Sequence, residues 1–112
     1  MLKKSDIAHV LSISSMAGYQ GSVKFPGLAH YGASKAALST MSEILAVEYQ
    51  KEKISFNSLA IGSVQTEMLE EAFPGVKAPL TPSEMAVFVT DFAINGHKYM
   101  NGKILPVSLS TP

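Results

Sequence analysis

The chain alternates between two kinds of apolar pattern, and this alternation constrains its fold more than any other feature. Residues 7–14 (IAHVLSIS) and 54–61 (ISFNSLAI) are short apolar runs bounded by serine or glycine, which is typical of buried strands. Over residues 29–50, apolar and small side chains recur every three to four positions and no proline intervenes. That spacing predicts a long amphipathic helix between the two strands.

The second half of the sequence repeats the alternation. Thr81, Pro82 and Glu84 form a capping-box pattern, which predicts a helix that runs from Pro82 to about residue 94. A short helical turn is predicted within MLEEAF, residues 68–73, and a third strand over 103–109. The order indicates the α/β class, as a partial Rossmann-like, doubly wound parallel sheet with about three strands and two long helices. Because such a domain usually has more strands, we expect residues 1–112 to be part of one larger domain.

Composition excludes several classes of function. The 112 residues carry no net charge, and all nine basic residues are lysines, so recognition of nucleic acid is not expected. There is no cysteine, and the histidines at 9, 30 and 97 lack ligand spacing, so no metal site is expected. His9, inside a predicted strand, is interpreted as a packed or edge histidine. No apolar run is long enough to predict a membrane-spanning helix, and a cytoplasmic location is the default expectation.

Tyr31 and Lys35 lie four residues apart at the head of the predicted long helix. The pair alone is weak evidence, because i,i+4 pairs are common on helix surfaces. Ser15, however, follows the first strand, and Gly62 follows the second. Both positions belong to the carboxyl edge of a parallel sheet, where open α/β sheets bind ligands. Two interpretations of Tyr31 and Lys35 therefore remain at this point, namely a surface pair and a proton-transfer site.

A proton-transfer role has an energetic requirement. A tyrosine side chain ordinarily has a pKa near 10, so work near neutral pH needs about 4 kcal/mol in favour of the phenolate. A cation about 4 Å away supplies roughly that much at an effective dielectric of about 20, but only about 1 kcal/mol in water. We therefore expect Lys35 to activate Tyr31 only in a partly closed site, with Ser15 holding the substrate oxygen.

Three segments in this order, ISSMAG, PGLAHYGASKAAL and ISFNSLAIGSVQTEM, resemble the classical short-chain dehydrogenase/reductase family. The resemblance implies an NAD(P)-dependent oxidoreductase that transfers hydride between NAD or NADP and a small-molecule carbonyl or alcohol carbon. It implies that Ser15, Tyr31 and Lys35 are catalytic, with Tyr31 as proton donor or acceptor. The cofactor contacts that it implies are Tyr31, Lys35, Gly62, Val64 and Thr66.

The sequence also departs from the family pattern. No G-x-G-x-x-G turn occurs, and Ile61 stands before Gly62 where the family usually has proline. The loop between the first strand and the long helix is longer than in the family, and Tyr19, Phe25 and His30 are candidates to line it. We therefore expect the C-terminal half of such an enzyme, with the N-terminal dinucleotide-binding half absent and no catalysis by the isolated chain.

Alternative functions stay open at this point. One is a non-catalytic interaction or oligomerisation module derived from this family, and another is a fragment without a function of its own. The bare edge of the strand at 7–14 is a template for pairing with another chain. The long helix is the surface through which family members form dimers. Both features predict a homo-oligomer.

Overall fold

A computed structural model of the chain describes residues 2–62, 67–75 and 77–109. Its strands and α-helices are β1 (His9–Ser15), α1 (Ala29–Glu48), β2 (Ser55–Ile61), α2 (Glu67–Ala72), α3 (Pro82–Asn95) and β3 (Ile104–Val107). The three strands lie in the order β1-β2-β3, and both pairs are parallel. The predicted α/β class and partial Rossmann-like sheet are confirmed, with small shifts at the ends of the predicted elements.

The main hydrophobic core lies between α1 and one face of β1 and β2. Parallel pairing sets Val10 opposite Phe56, and the alternation along each strand directs these side chains to the same face. The core residues are Ala8, Ala46, Ile54 and Phe56, against which Val10, Leu45 and Tyr49 pack. β2 is the central strand, and its residues 56–60 are all buried. A continuous buried run of this kind is expected where a parallel strand is covered on both faces.

The predicted long helix is present, but it does not bury its largest apolar side chains. The buried positions of α1 are Ser39, Ser42 and Ala46, whereas the Met41 side chain is 50% exposed. Small side chains allow the helix backbone to approach the sheet closely. As a result, the outer surface of α1 carries a row of exposed large apolar residues: Met41, Ile44 and Val47.

The second long helix, α3, begins with the predicted capping box. The Glu84 backbone N–H donates to Thr81 Oγ1 at 3.2 Å, and the Thr81 N–H donates to Glu84 Oε1 at 3.0 Å. The C-terminal part of α3 packs on the face of β1 opposite α1, where the rings of His9 and Phe92 have centroids 5.9 Å apart. Helices therefore cover both faces of the sheet, as the doubly wound prediction requires.

His9 is held between α3 and β2 by hydrogen bonds to both ring nitrogens. Its Nδ1 lies 3.0 Å from the Ala93 carbonyl oxygen, and its Nε2 lies 3.0 Å from Asn57 Nδ2. An amide nitrogen only donates and a carbonyl only accepts, so Nδ1 carries the proton and Nε2 accepts. Burial is the main cause that lowers the pKa of His9, and nearby His97 lowers it further, while the Ala93 carbonyl acts in the opposite direction. The interpretation of His9 as a packed histidine is confirmed.

The described residues contain neither a metal-binding cluster nor a membrane-spanning helix. No three His, Asp or Glu side chains within 2–62, 67–75 and 77–109 are grouped so that they could hold a metal ion. No helix in the same ranges is long and apolar enough to cross a membrane.

The environment of His9 predicts a pH-dependent stability. Because folding lowers the pKa of His9, the unfolded chain binds its proton more tightly than the folded chain does. The stabilisation by neutral His9 is complete above the ordinary histidine pKa of about 6.5, and it is lost as the pH falls toward the folded pKa. We expect a lower Tm at pH 5 than at pH 7.5 in melts followed by circular dichroism.

Two substitutions test whether His9 causes this pH dependence of the Tm. His9→Gln is expected to reduce the difference in Tm between pH 5 and pH 7.5. His30→Gln is the matched control, because His30 is exposed at the start of α1, and it is expected to keep that difference. A His9→Gln chain with the full pH dependence of the parent would contradict the assignment.

Candidate active site

A chain of buried hydroxyl groups fixes α1 on the sheet. Ser14 is buried, and its Oγ donates to the Lys35 carbonyl at 2.9 Å and accepts from Ser39 Oγ at 3.0 Å. Ser39 Oγ lies 3.2 Å from Ser58 Oγ on β2. The helical turn that bears Lys35 is thereby tied to two strands. Our sequence analysis did not identify this role, although strand alternation does place Ser14 and Ser15 on opposite faces.

A close backbone contact holds the turn that follows β1, the 3-10 turn Met16–Gly18, against α1. A Cβ atom added to Gly18 would lie 2.5 Å from the backbone nitrogen of Ala36 and 2.8 Å from the Gly32 carbonyl oxygen. A Cβ added to Gly32 would lie 2.9 Å from the Ala17 carbonyl oxygen. Only glycine permits this approach. The end of β1 is therefore positioned directly beside the first turns of α1.

The predicted catalytic residues surround one cleft. Ser15, Tyr31 and Lys35 line a cavity of about 990 Å³ together with Gly62, which follows β2. The two remaining predicted cofactor contacts, Val64 and Thr66, lie outside the described residues. The roles of all these residues in catalysis and cofactor binding stay predictions.

The loop between β1 and α1 supplies much of the cleft wall. Tyr19 and Phe25 line the cleft, as expected from the length of this loop. His30, the third candidate, is exposed and is not among the described lining residues. Phe73, which follows α2, also lines the cleft and contacts the loop. Sequence reasoning did not identify Phe73, because no local pattern connects it with a loop almost fifty residues earlier.

Lys35 places a cation beside the Tyr31 ring. Its Nζ lies 5.6 Å from the ring centroid, which is within the range of a cation–π contact. The same Nζ donates to the Ile13 carbonyl at 3.3 Å. Lys35 forms no ion pair with any carboxylate in the described part of the chain. The ammonium group therefore has N–H donors left for a ligand.

The hydroxyl group of Ser15 already accepts one hydrogen bond within the protein. Its Oγ accepts a hydrogen bond of 3.0 Å from the Ala17 backbone N–H, which caps the 3-10 turn. A serine hydroxyl has one proton to donate in addition to its acceptor lone pairs. The capping bond thus orients the side chain and leaves that proton for a ligand oxygen in the cleft.

The part of the sequence that builds the cleft matches a known protein family. Residues 1–77 match the short chain dehydrogenase family. This range includes β1, α1 and β2 and therefore Ser15, Tyr31 and Lys35. The chain belongs to the short-chain dehydrogenase family. Membership supports an oxidoreductase with a nicotinamide cofactor at the level of the family.

Relatives in the family include reductases of known name. The chain is 33% identical over 110 aligned positions to the 3-oxoacyl-[acyl-carrier-protein] reductase FabG of Rickettsia prowazekii, covering 88% of this chain and 44% of that protein. It is 35% identical to an NADPH-dependent aldehyde reductase-like chloroplast protein of Arabidopsis thaliana, covering 74% of this chain and 35% of that protein. The chain thus spans less than half the length of these relatives.

A solved structure of the family matches nearly the whole fold. The Pseudomonas aeruginosa RhlG/NADP active-site complex superimposes with a TM-score of 0.75 at 28% identity, covering 96% of this chain and 47% of that one. The sheet and helices described above are therefore part of a short-chain dehydrogenase fold.

The close contact at Gly32 predicts that a larger residue at this position lowers the stability of the chain. Replacing glycine by alanine within a helix normally stabilises it by about 1 kcal/mol. Here we expect Gly32→Ala to destabilise the chain by about 1–3 kcal/mol, because its methyl group would collide with the Ala17 carbonyl oxygen. Urea denaturation followed by circular dichroism measures this difference.

The control for that experiment is Thr40→Ala. Thr40 is exposed on the same helix, so the change increases helix propensity without a new contact. We expect this variant to be as stable as the parent or slightly more so. A Gly32→Ala chain that gains stability would show that the turn does not pack on α1 as described.

Proposed function

We propose that the chain forms the proton-transfer side of an NAD(P)-dependent oxidoreductase that interconverts a carbonyl and an alcohol. One observation carries the proposal: Ser15, Tyr31 and Lys35 line a single cleft at the carboxyl edge of the sheet. Open α/β sheets bind ligands at this edge. The residues 1–112 then constitute the C-terminal part of one such domain.

The side chains that line the cleft suit the nicotinamide end of the cofactor. Lys35 has N–H donors available for ribose hydroxyl groups, and Gly62 leaves the strand end open to a nearby ligand. Val64 and Thr66 complete the proposed set of contacts with the cofactor. When bound, the nicotinamide supplies or accepts the hydride. Relatives described with NADPH and with NADP support the class of cofactor, and both NAD and NADP remain candidates.

The three side chains have separate tasks in the proposed reaction. Ser15 donates its hydroxyl hydrogen to the substrate oxygen and so fixes the carbonyl in place. Tyr31 gives its phenolic proton to that oxygen as negative charge develops there, and takes the proton back in the direction of alcohol oxidation. Lys35 stabilises the resulting phenolate, because its ammonium group lies over the Tyr31 ring without a competing carboxylate from a described residue.

The isolated chain is proposed to be inactive. The sequence contains no G-x-G-x-x-G turn to hold the cofactor pyrophosphate. A cleft open to water would also weaken the effect of Lys35 on Tyr31, because water screens the charge. Turnover then requires a dinucleotide-binding half, on a longer form of this polypeptide or on another one. A cytoplasmic location stays a prediction.

Tyr31→Phe tests the chemistry by removing one hydroxyl group while keeping the ring beneath Lys35. It is made in the chain extended by any in-frame upstream coding sequence, and NAD(P)H oxidation is followed by absorbance with a panel of ketones and aldehydes. We expect kcat to fall by about 100-fold or more, as is typical for loss of a general acid.

The control is Tyr99→Phe, the same chemical change at a side chain that is 82% exposed outside the cleft. We expect its kcat to match that of the parent. Full activity in Tyr31→Phe would exclude the proposed proton donor. Turnover by the 112-residue chain alone would contradict the requirement for a second half.

A second candidate function is that of an interaction module. The outer face of α1 exposes Met41, Ile44 and Val47, and a groove of about 560 Å³ runs along it. β1 is also an edge strand of the described sheet, with its outer backbone groups unpaired in that sheet. Both features support self-association through α1 and β1.

Val47→Glu tests the contribution of α1 to self-association. The Val47 side chain is 74% exposed on α1, and Val87 is 73% exposed on α3, so Val87→Glu is a closely matched control. We expect a concentration-dependent oligomer for the parent and the control, and a shift toward monomer for Val47→Glu, because a buried glutamate is costly at an apolar interface. Sedimentation velocity over a range of concentrations measures the distribution. A monomeric parent at the highest concentration would exclude self-association.

A further inference from the structure

The cleft has an aromatic wall built by two segments that are distant in sequence. Phe25 belongs to the loop between β1 and α1, and Phe73 follows α2. Their ring centroids are 5.2 Å apart with an interplanar angle of 76°, an edge-to-face arrangement that aromatic pairs favour. Both rings line the cleft that contains Tyr31. We call Phe25 and Phe73 the aromatic pair.

Most of the described residues that line the cleft are apolar or glycine. Val23, Leu28 and Leu69 line the same cleft, and no acidic side chain occurs among its described lining residues. Apolar walls of this kind favour neutral apolar groups, because a charged group would lose its hydration without gaining a partner.

Two lysines line the cleft, and the ammonium group of each donates hydrogen bonds within the protein. Lys35 belongs to the catalytic end, where it lies over the Tyr31 ring. The ammonium group of Lys24 is folded back on its own loop, where it donates to the Tyr19 carbonyl at 2.6 Å and to the Ser22 hydroxyl. The other described residues of the cleft lining are uncharged, so the wall offers mainly apolar contact area.

We propose that the aromatic pair selects the substrate, and that it accepts an aromatic or bulky aliphatic ketone or aldehyde without a net charge. The apolar group of the substrate packs against Phe25 and Phe73 while its carbonyl oxygen reaches Ser15 and Tyr31. Small polar ketones and 2-oxo acids lack the apolar group that this wall contacts. The choice of a carbonyl compound rests on the proposed function, whereas binding at the aromatic pair does not require turnover.

Binding by the 112-residue chain is measured by NMR titration with 4-phenylbutan-2-one and, separately, with pyruvate. We expect saturable shifts with the phenyl ketone and none with pyruvate at the same concentrations. Phe73→Ala and Phe25→Ala are each expected to weaken binding of the phenyl ketone by about tenfold, which is about 1.4 kcal/mol. Phe88→Ala, at an exposed ring on α3, removes the same group outside the cleft and is expected to leave binding unchanged.

A purely structural role for the pair is distinguished by selectivity. If an alanine variant loses the native spectrum, Phe73→Leu and Phe25→Leu are used, and the affinity ratio between 4-phenylbutan-2-one and butan-2-one is compared with that of the parent. A reduced ratio supports the proposal. An unchanged ratio in folded variants, or tighter binding of pyruvate than of the phenyl ketone by the parent, overturns it.

Turnover by the extended chain separates this inference from the proposed function. Binding of the phenyl ketone at the aromatic pair without NAD(P)H-dependent reduction of any carbonyl would refute the reaction and leave the selectivity assignment in place. Reduction of pyruvate as efficiently as of phenyl ketones would support the reaction and overturn the selectivity assignment.

Discussion

The contact between the turn Met16–Gly18 and α1 is the constraint on which the geometry of the cleft depends. Gly18 and Gly32 let two backbones meet at distances that a single methyl group would prevent. The contact sets the position of the end of β1, which carries Ser15, against the helix that carries Tyr31 and Lys35. Hydrogen bonds made by the hydroxyl groups of Ser14 and Ser39 hold the same helix against β1. The three side chains proposed for proton transfer are thus positioned by residues that take no part in it.

Small residues also explain the surface of α1. A helix seated on the sheet through serine and alanine gains close packing and hydroxyl hydrogen bonds, but it leaves Met41, Ile44 and Val47 on the outside. Contiguous exposed apolar side chains of this kind are a mark of interaction surfaces. The same feature that orients the helix bearing Tyr31 and Lys35 therefore produces the surface proposed for association with another chain.

Polar groups buried on the other side of β2 show how the sheet is completed. Asn57 is fully buried, and its amide nitrogen donates to His9 and to the Met100 carbonyl, while its oxygen accepts from the Lys103 N–H. Every one of these bonds joins segments more than forty residues apart. A buried amide is tolerated here because its nitrogen and oxygen both have hydrogen-bond partners. The bonds to Met100 and Lys103 hold the segment before β3 against β2.

By itself, the sequence determined the order and type of the elements, the capping box at Thr81 and the pairing of Tyr31 with Lys35 on one helix. These features follow from local rules, namely side-chain periodicity, helix capping and strand alternation, so they are readable without a fold. Only the tertiary structure decided which face of α1 is buried, that Ser14 anchors this helix, and that Phe73 meets Phe25 across the cleft. Those outcomes depend on contacts between residues distant in the chain, where packing and hydrogen-bond satisfaction outweigh the local pattern.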